Sequence, residues 1–274
     1  YRRQRQMCIR DRSRVTPSIA PHAADTCSEP LLTELAAFAK DRKLPLHMHL
    51  SQTRGEFQRV QQRAGCTPVE FAHRCGALTD LTLAVHLVTS TVSDHKILRG
   101  QGVTAGICPA SQIIYEQLAP IDDLMRVGVP IALATDAAAS NDTADLLAEM
   151  RLMALMTQDR GVPEEHRGPD AILRMTTENP ARAIGLEGKI GSLAVGKAAD
   201  IVFLARDLGT EPSPKLLTNV IYSHSSRNVR HVMVDGRFVL YNGKPTLVDA
   251  DQLLAEYEAA VAEIHRRVAA TTTK

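Results

Sequence analysis

Five short apolar segments alternate with helix-patterned ones from Val15 to about Gln158, and this alternation limits the possible folds more than any other feature of the chain. The apolar pieces are "RVTPSIAPH", "LPLHMHLS", "LTLAVHLV", "GVTAGICPAS" and "VPIALATD". Each leads into a helical stretch: "SEPLLTELAAFAKDRK", a polar run from Gly55 to about Cys75, "SDHKILRGQG", "PIDDLMRVG" and "TADLLAEMRLMALMTQ". In the first of these, Ser28 is a suitable N-cap and apolar residues recur at helical spacing from Leu31 to Phe38. Strands this apolar, each followed by a helix, predict a parallel α/β sheet covered on both faces. His22, His49, His86 and Asp136 stand at the C-terminal ends of four of the five strands. A (β/α)8 barrel gathers its reactive groups at that edge, and a doubly wound sheet does the same, so the alternation leaves both open. No glycine-rich phosphate loop follows any strand, which weighs against nucleotide binding.

Beyond Gly185 the texture changes. "GKIGSLAVGKAADIVFLARD" and "VRHVMVDGRFVLYNGK" are short β segments set off by Gly and Asp-Gly turns, and a charged helix follows from about Asp249 to Val268. The domain reading is 15–185 for the strand–helix region, 186–248 for a small β subdomain, and 249–274 for a terminal helix and tail.

Residues 1–14, "YRRQRQMCIRDRSR", have no helix or strand period and read as a non-native or disordered basic tail. On that reading the native sequence was cut near Val15. Removing the tail's six arginines and one aspartate moves the formal charge from +1 to −4, so the body of the chain has no basic surplus. No nucleic-acid partner is therefore expected, although a genuine nucleic-acid arm is the other reading of such a run. No apolar stretch approaches the roughly 20 residues of a membrane helix, and no signal peptide is evident, so no membrane partner is expected. The five cysteines are odd in number and form no C-x-x-C, which reads as reduced thiols in a cytoplasmic protein.

Six motifs then occur in order: "PHAADTCSEPLL", "HMHLSQT", "AVHL", "CPAS", "GVPIALATDAAASND" with "EMR", and "IGSLAVGKAADIV". Together they resemble the amidohydrolase superfamily of metal-dependent hydrolases. Within it they are similar to the branch of methylthioadenosine/S-adenosylhomocysteine deaminases and triazine hydrolases. The resemblance runs across nearly all of 15–244. It implies an α/β fold, a partial (β/α)8 TIM-type barrel in which the five units are about strands 4 to 8, with part of a β-sandwich after it. It also implies one Zn2+ (or Fe2+) per subunit at the rim, a small-molecule substrate, and a homo-oligomer when the protein is complete. The family's own His-x-His pair belongs to the first strand, upstream of Val15 and absent from this chain.

The same resemblance suggests a role for each rim residue. His49 aligns with the family's fifth-strand metal ligand, while His47 shares its face but lies deeper and reads as structural. Asp136 fits the carboxylate that binds the metal and takes a proton from water. An N-cap is its bland alternative. His86 would hydrogen-bond the attacking water or stabilise charge at the attacked carbon. His22 and Gln52 would contact substrate. Gln52 stands where the family usually has a glutamate that delivers a proton to the ring, and an amide cannot do that at pH 7. Glu56, four residues on, is not assumed to replace it. Cys108 reads as core, and Glu149 with Arg151 as a structural ion pair or helix contact. His73, His95, His166, His224, His231 and His265 read as solvated.

The resulting expectation is a metal-dependent aminohydrolase acting on an N-heteroaromatic ring such as a purine, pterin or triazine. The alternatives are a dechlorinating or dealkylaminating triazine-type hydrolase, or a non-catalytic barrel with a decayed site. The 274-residue chain itself is expected to bind zinc weakly and to turn nothing over.

Overall fold

The computed structural model describes residues 15–115, 117–212 and 214–272, so the basic stretch 1–14, with Cys8, lies outside the described residues. The chain divides into two compact units. The first holds residues up to Lys197 together with Asp207–Ser226, and the second holds Ala198–Arg206 and the chain from Arg227 onward. The stretch 186–248, read from sequence as one subdomain, is thus shared between the units. Its helix Leu216–Tyr222 groups with the first because Ile221 is buried in that unit's apolar core.

The first unit is built on a four-stranded parallel sheet in the order β1 (Leu46–Leu50), β2 (Thr82–His86), β3 (Thr104–Ile107) and β4 (Ile131–Leu133). Strand order follows chain order, with helices in every crossover. The remaining apolar segment, "RVTPSIAPH", pairs with β1 only at two isolated positions, Ile19 with Leu46 and Ala23 with His49. Pro21 explains the interruption. Ile19 N–H donates to Pro45 O (2.8 Å) and Ile19 O accepts from His47 N–H (2.9 Å), as a parallel ladder requires. The next donor would be the N–H of residue 21, which proline lacks. Pairing resumes one residue out of step, with His49 N–H donating to His22 O (3.1 Å).

β3 and β4 are buried along their length, as expected of a covered parallel sheet. β1 departs from this. Leu46, Met48 and Leu50 are buried, His49 is half-buried, and His47 is exposed. Its sequence alternates apolar with imidazole, so only one face has side chains to bury. His47 therefore shares a face with His49, as read from sequence, but meets solvent there.

Local signals account for the helices. Ser28 caps Glu29–Arg42 by accepting from Leu31 N–H (3.4 Å). The polar run expected as one helix is two, Arg54–Ala64 and Pro68–Arg74. Gly65 ends the first at φ +70°, and Thr67 opens the second through a reciprocal capping box with Glu70. Thr91 and Asp94 form the same box ahead of Val92–Gly100, and Asp145 caps Leu146–Asp159. Three short helices between Glu164 and Ala183 were not individually legible.

The second unit holds an antiparallel sheet, β5 (Ile201–Leu204), β6 (Val229–Val234), β7 (Arg237–Tyr241) and β8 (Lys244–Pro245), and the terminal helix Ala250–Thr272. Asp235-Gly236 and Asn242-Gly243 turn its hairpins with positive φ at both central positions, the geometry these dipeptides favour. His231 is half-buried here among Phe203, Phe238 and Tyr241 rather than solvated. Among the described residues no helix is long and apolar enough to cross a membrane.

Candidate active site

The ends of the parallel strands meet at one rim, and the backbone there is locally strained. Ser51 after β1, His86 and Leu87 at the end of β2, and Asp136 after β4 all have positive φ, at +53°, +82°, +56° and +63°. Each such non-glycine conformation costs about 1–3 kcal/mol and persists only where neighbours enforce it. The enforcing contacts converge on the residues singled out from sequence.

His49 is fixed by its neighbour segment. The carbonyl of His22 accepts from both His49 N–H (3.1 Å) and His49 Nδ1 (2.8 Å). A carbonyl can only accept, so Nδ1 carries the proton and Nε2 keeps a free lone pair, the arrangement of a metal-ligating histidine. The register break at Pro21 is what brings that carbonyl under the ring. His22 itself is exposed, bonded through Nδ1 to Thr26 Oγ1 (2.9 Å), with its ring 5.0 Å from that of His49.

His86 breaks strand alternation. Leu50 is its partner across the ladder, so a regular strand would send its ring to the buried face of Leu50. At φ +82° the ring instead stacks on His49, with centroids 5.4 Å apart and planes 15° from parallel. Gln112 holds this conformation, donating from Nε2 to His86 O (2.9 Å) while its Oε1 accepts from Ala119 N–H (3.2 Å). Burial lowers the His86 pKa to about 4 against the pull of Asp136, so the ring is neutral at pH 7.

Asp136 is half-buried, and both its oxygens are engaged. Ser111 Oγ donates to Oδ2 (2.6 Å) and Ala137 N–H to Oδ1 (2.7 Å). Burial works to raise its pKa, but these hydrogen bonds outweigh it and hold the carboxyl below the usual range. No helix N–H beyond Ala137 is capped by it, which removes the N-cap reading. Glu149 is buried and makes no ion pair with the exposed Arg151. Its carboxylate accepts from Ala110 N–H (3.0 Å) and Asn141 Nδ2 (3.1 Å), tying the segment after β3 to the segment after β4. Asn141 also donates to Thr135 O (2.8 Å), one residue before Asp136.

A cavity of about 260 Å³ opens among Gln52, His86, Ser111, Tyr115, Asp136 and Ser140. The structure thus brings Gln52, His86 and Asp136 to one space, with His49 joined to it through the His86 ring. His22 lies beyond His49 and does not line the cavity. Glu56 does not enter the cavity either. It is buried, and its two carboxylate oxygens accept from Ser51 N–H (3.0 Å) and Gln52 N–H (2.6 Å). Gln52 therefore faces the cavity without a carboxyl standing in for it.

Among the described residues, the three metal-binding side chains that come together are His86, Cys108 and Asp136, whose ligand atoms lie within 4.8 Å of one another. Imidazole, sulfur and carboxylate form a donor set that fits a divalent cation such as zinc, while His49, read from sequence as a ligand, stands outside this group with its ring stacked on that of His86. Burial beside Asp136 pushes the Cys108 thiol up to about 12. Gln112, read from sequence as lining or bracing the pocket, does so, whereas sequence reasoning missed Ser111, Glu149 and Cys108 as rim residues. The signal was their position just after β3 or on the helix following Asp136. His95 and His224 are buried, not solvated. His95 Nε2 meets Ser90 Oγ (2.9 Å), and His224 Nδ1 meets Asn219 O (3.2 Å).

Glu56 carries a pH signature. Burial raises its pKa to about 7 despite the hydrogen bonds from Gln52 and Ser51. The unfolded chain ionises first, so the stability linked to Glu56 is complete below about pH 4.5 and is lost as pH rises through about 7, by at most about 3 kcal/mol. His86 contributes the opposite slope between about pH 4 and 6.5, since its folded pKa is depressed. Urea denaturation of wild type and Glu56→Gln from pH 4.5 to 8 separates the two. The difference in stability is expected to shift with pH by about 2–3 kcal/mol, and a pH-independent difference would contradict the assignment.

A profile of the amidohydrolase family matches residues 2–239. The chain is 35% identical over 249 residues to a 5-methylthioadenosine/S-adenosylhomocysteine deaminase of Moorella thermoacetica, covering 89% of this chain and 57% of that protein. It is 34% identical over 253 residues to a 5'-deoxyadenosine deaminase of Methanothermobacter thermautotrophicus, covering 92% and 59%. The chain thus spans under two thirds of the length of these relatives. Among solved structures, an adenosine deaminase from Xanthomonas campestris with bound zinc superposes with TM-score 0.90 at 27% identity, covering 95% of this chain and 60% of that one. Atrazine chlorohydrolase from Arthrobacter aurescens, complexed with zinc, superposes with TM-score 0.82 at 24% identity over 93% and 58%, a likeness of fold alone.

Proposed function

The chain belongs to the amidohydrolase family, and from that premise we propose that it carries part of the catalytic rim of a zinc-dependent aminohydrolase acting on an N-heteroaromatic ring such as a purine, pterin or triazine. The observation that carries this reading is the convergence of a neutral His86 and a hydrogen-bonded Asp136 on one cavity, with His49 stacked behind them. We infer in addition that the parallel sheet and its lead-in segment are about strands 4 to 8 of a (β/α)8-type barrel. The superposition on the zinc-bound deaminase over 95% of the chain supports this.

On this reading His49 Nε2 and Asp136 would hold the ion, which when bound supplies the acidification of water needed to form hydroxide near neutrality. Asp136, kept ionised by Ser111 and Ala137, accepts the proton of the attacking water. His86, uncharged and pinned through its carbonyl by Gln112, hydrogen-bonds that water and steadies charge at the attacked carbon. Gln52 orients the ring by donating a hydrogen bond, and His22 contacts the outer part of the substrate.

One observation favours a second reading. Gln52 lines the cavity while the Glu56 carboxylate is turned to backbone N–H groups, so no nearby acid protonates the ring. Ammonia is a poor leaving group without such help, whereas chloride leaves unprotonated, so a triazine-type dehalogenation suits this rim. Release of ammonia and chloride by a zinc-loaded protein in which the upstream share of the relatives' barrel is joined to this chain, from adenosine-type nucleosides and chlorotriazines, tests both readings. Ring deamination is expected, and Gln52→Glu is expected to raise it at least about 10-fold by restoring an acid. Chloride release without ammonia would replace the first reading with the second, and release of neither would overturn both.

A further inference from the structure

The cavity at the rim is lined mostly by polar groups and has one open aromatic wall. Gln52, Asp136 and Ser140 supply an amide, a carboxylate and a hydroxyl. His86 lines it too, but it is 2% exposed and its ring is stacked on His49, so it offers a ligand no open face. Tyr115 is the other ring of the lining, and it is 63% exposed. It stands at the end of the helix Pro109–Tyr115, which follows β3. Its hydroxyl donates to Ala139 O (3.5 Å) on the helix Ala138–Asn141, which follows Asp136. The ring is thus held at its base by the segment after β3 and at its tip by the segment after β4, with a face left open. Nothing in the reaction described above uses it.

We propose that Tyr115 selects an aromatic ring as substrate, its face stacking on the flat heterocycle while Gln52 meets the heterocycle's edge. This rests on the aminohydrolase reading of the same rim and deepens it, because it favours fully aromatic N-heterocycles over saturated cyclic amides. An N-heteroaromatic ring carries its hydrogen-bonding groups around its edge and is weakly hydrated on its faces. A pocket that fits such a ring sets a few polar side chains at the edge and an apolar or aromatic surface against a face. Stacking accepts any base, since each has a π face, so Tyr115 sets the class of ring and the polar edge contacts choose among its members. Tyrosine has few rotatable side-chain bonds, so ordering its ring costs little, and the bond to Ala139 O restricts it before substrate arrives.

The chain contains no tryptophan, so Tyr115→Trp places a single indole at the cavity and keeps a ring that can stack. This 274-residue variant is titrated with adenosine, with a chlorotriazine and with dihydrouracil, a saturated cyclic amide. Saturable quenching of the indole emission is expected from at least one of the two aromatic ligands and none from dihydrouracil. Tyr257→Trp carries the same reporter on the terminal helix, outside the cavity lining, and is expected to show no saturable quenching. In the zinc-loaded protein joined to the upstream share of the relatives' barrel, Tyr115→Leu is expected to lower kcat/KM at least about 5-fold, with KM carrying the loss, while Tyr115→Phe stays within about 2-fold. No saturable quenching in Tyr115→Trp, equal quenching in Tyr257→Trp or by dihydrouracil, an unchanged kcat/KM in Tyr115→Leu, or a loss in Tyr115→Phe as large as in Tyr115→Leu would each overturn the role of the Tyr115 ring and leave the aminohydrolase reading standing. A joined protein that releases neither ammonia nor chloride, while Tyr115→Trp still reports stacking, would overturn that reading and leave Tyr115 as a binder of aromatic rings.

Discussion

Asp136→Asn is expected to weaken zinc binding by the chain at least about 100-fold, a loss near 2.7 kcal/mol, with little change in folding stability. Asparagine is chosen because residue 136 sits at φ +63°, where Asn and Asp are tolerated better than most side chains. The substitution keeps the size of the side chain and an oxygen for Ser111 Oγ–H, and it removes the negative charge together with the second acceptor oxygen, which takes the Ala137 N–H. That charge is the sole carboxylate in the donor cluster, and for a divalent ion it outweighs any single neutral ligand. Competition against a chromophoric chelator measures the change, and thermal unfolding of the metal-free protein checks the fold. Unchanged zinc affinity in a folded Asp136→Asn protein would remove Asp136 from the site.

Phe71→Ala has the largest expected effect on stability, a loss of about 3–5 kcal/mol. Phe71 lies in the short helix Pro68–Arg74 and is 0% exposed, among the largest fully buried side chains of the first unit. Two guanidinium groups, from Arg63 and Arg74, sit over its ring at 4.8 and 5.5 Å from the centroid. Truncation leaves a void and takes away the surface on which both cations rest. Folded domains hold only about 5–15 kcal/mol in all, so the expected loss is a large share of the total. Urea unfolding monitored by circular dichroism gives the value, and a change below about 1 kcal/mol would show that the helix does not pack as described.

Sequence made the frame of the site legible because strand ends are marked by composition. Apolar runs stopping at His49, His86 and Asp136 reveal the rim, and Ser28, Gly65, Thr67 and Asp145 announce helix ends through local chemistry. What stayed hidden depends on backbone dihedrals and distant contacts. Alternation predicts His86 on the buried face of β2, and only its positive φ turns the ring onto His49. Pro21 was visible as a proline, but the one-residue shift that places His22 O under the His49 ring follows from pairing with β1. The hydrogen bond from Ser111 to Asp136 spans 25 residues, and that from Ala110 to Glu149 spans 39, beyond any local pattern. Glu56 could be read as a first-turn acid, yet its grip on Ser51 and Gln52 needed the loop's geometry.

The most direct measurement is an anomalous difference map collected at the zinc absorption edge from crystals grown with zinc. The account predicts a single strong peak at the strand-end rim, within bonding distance of Asp136 and of the His49 ring. A peak elsewhere on the chain, or a rim with no peak in a zinc-saturated crystal, would contradict it.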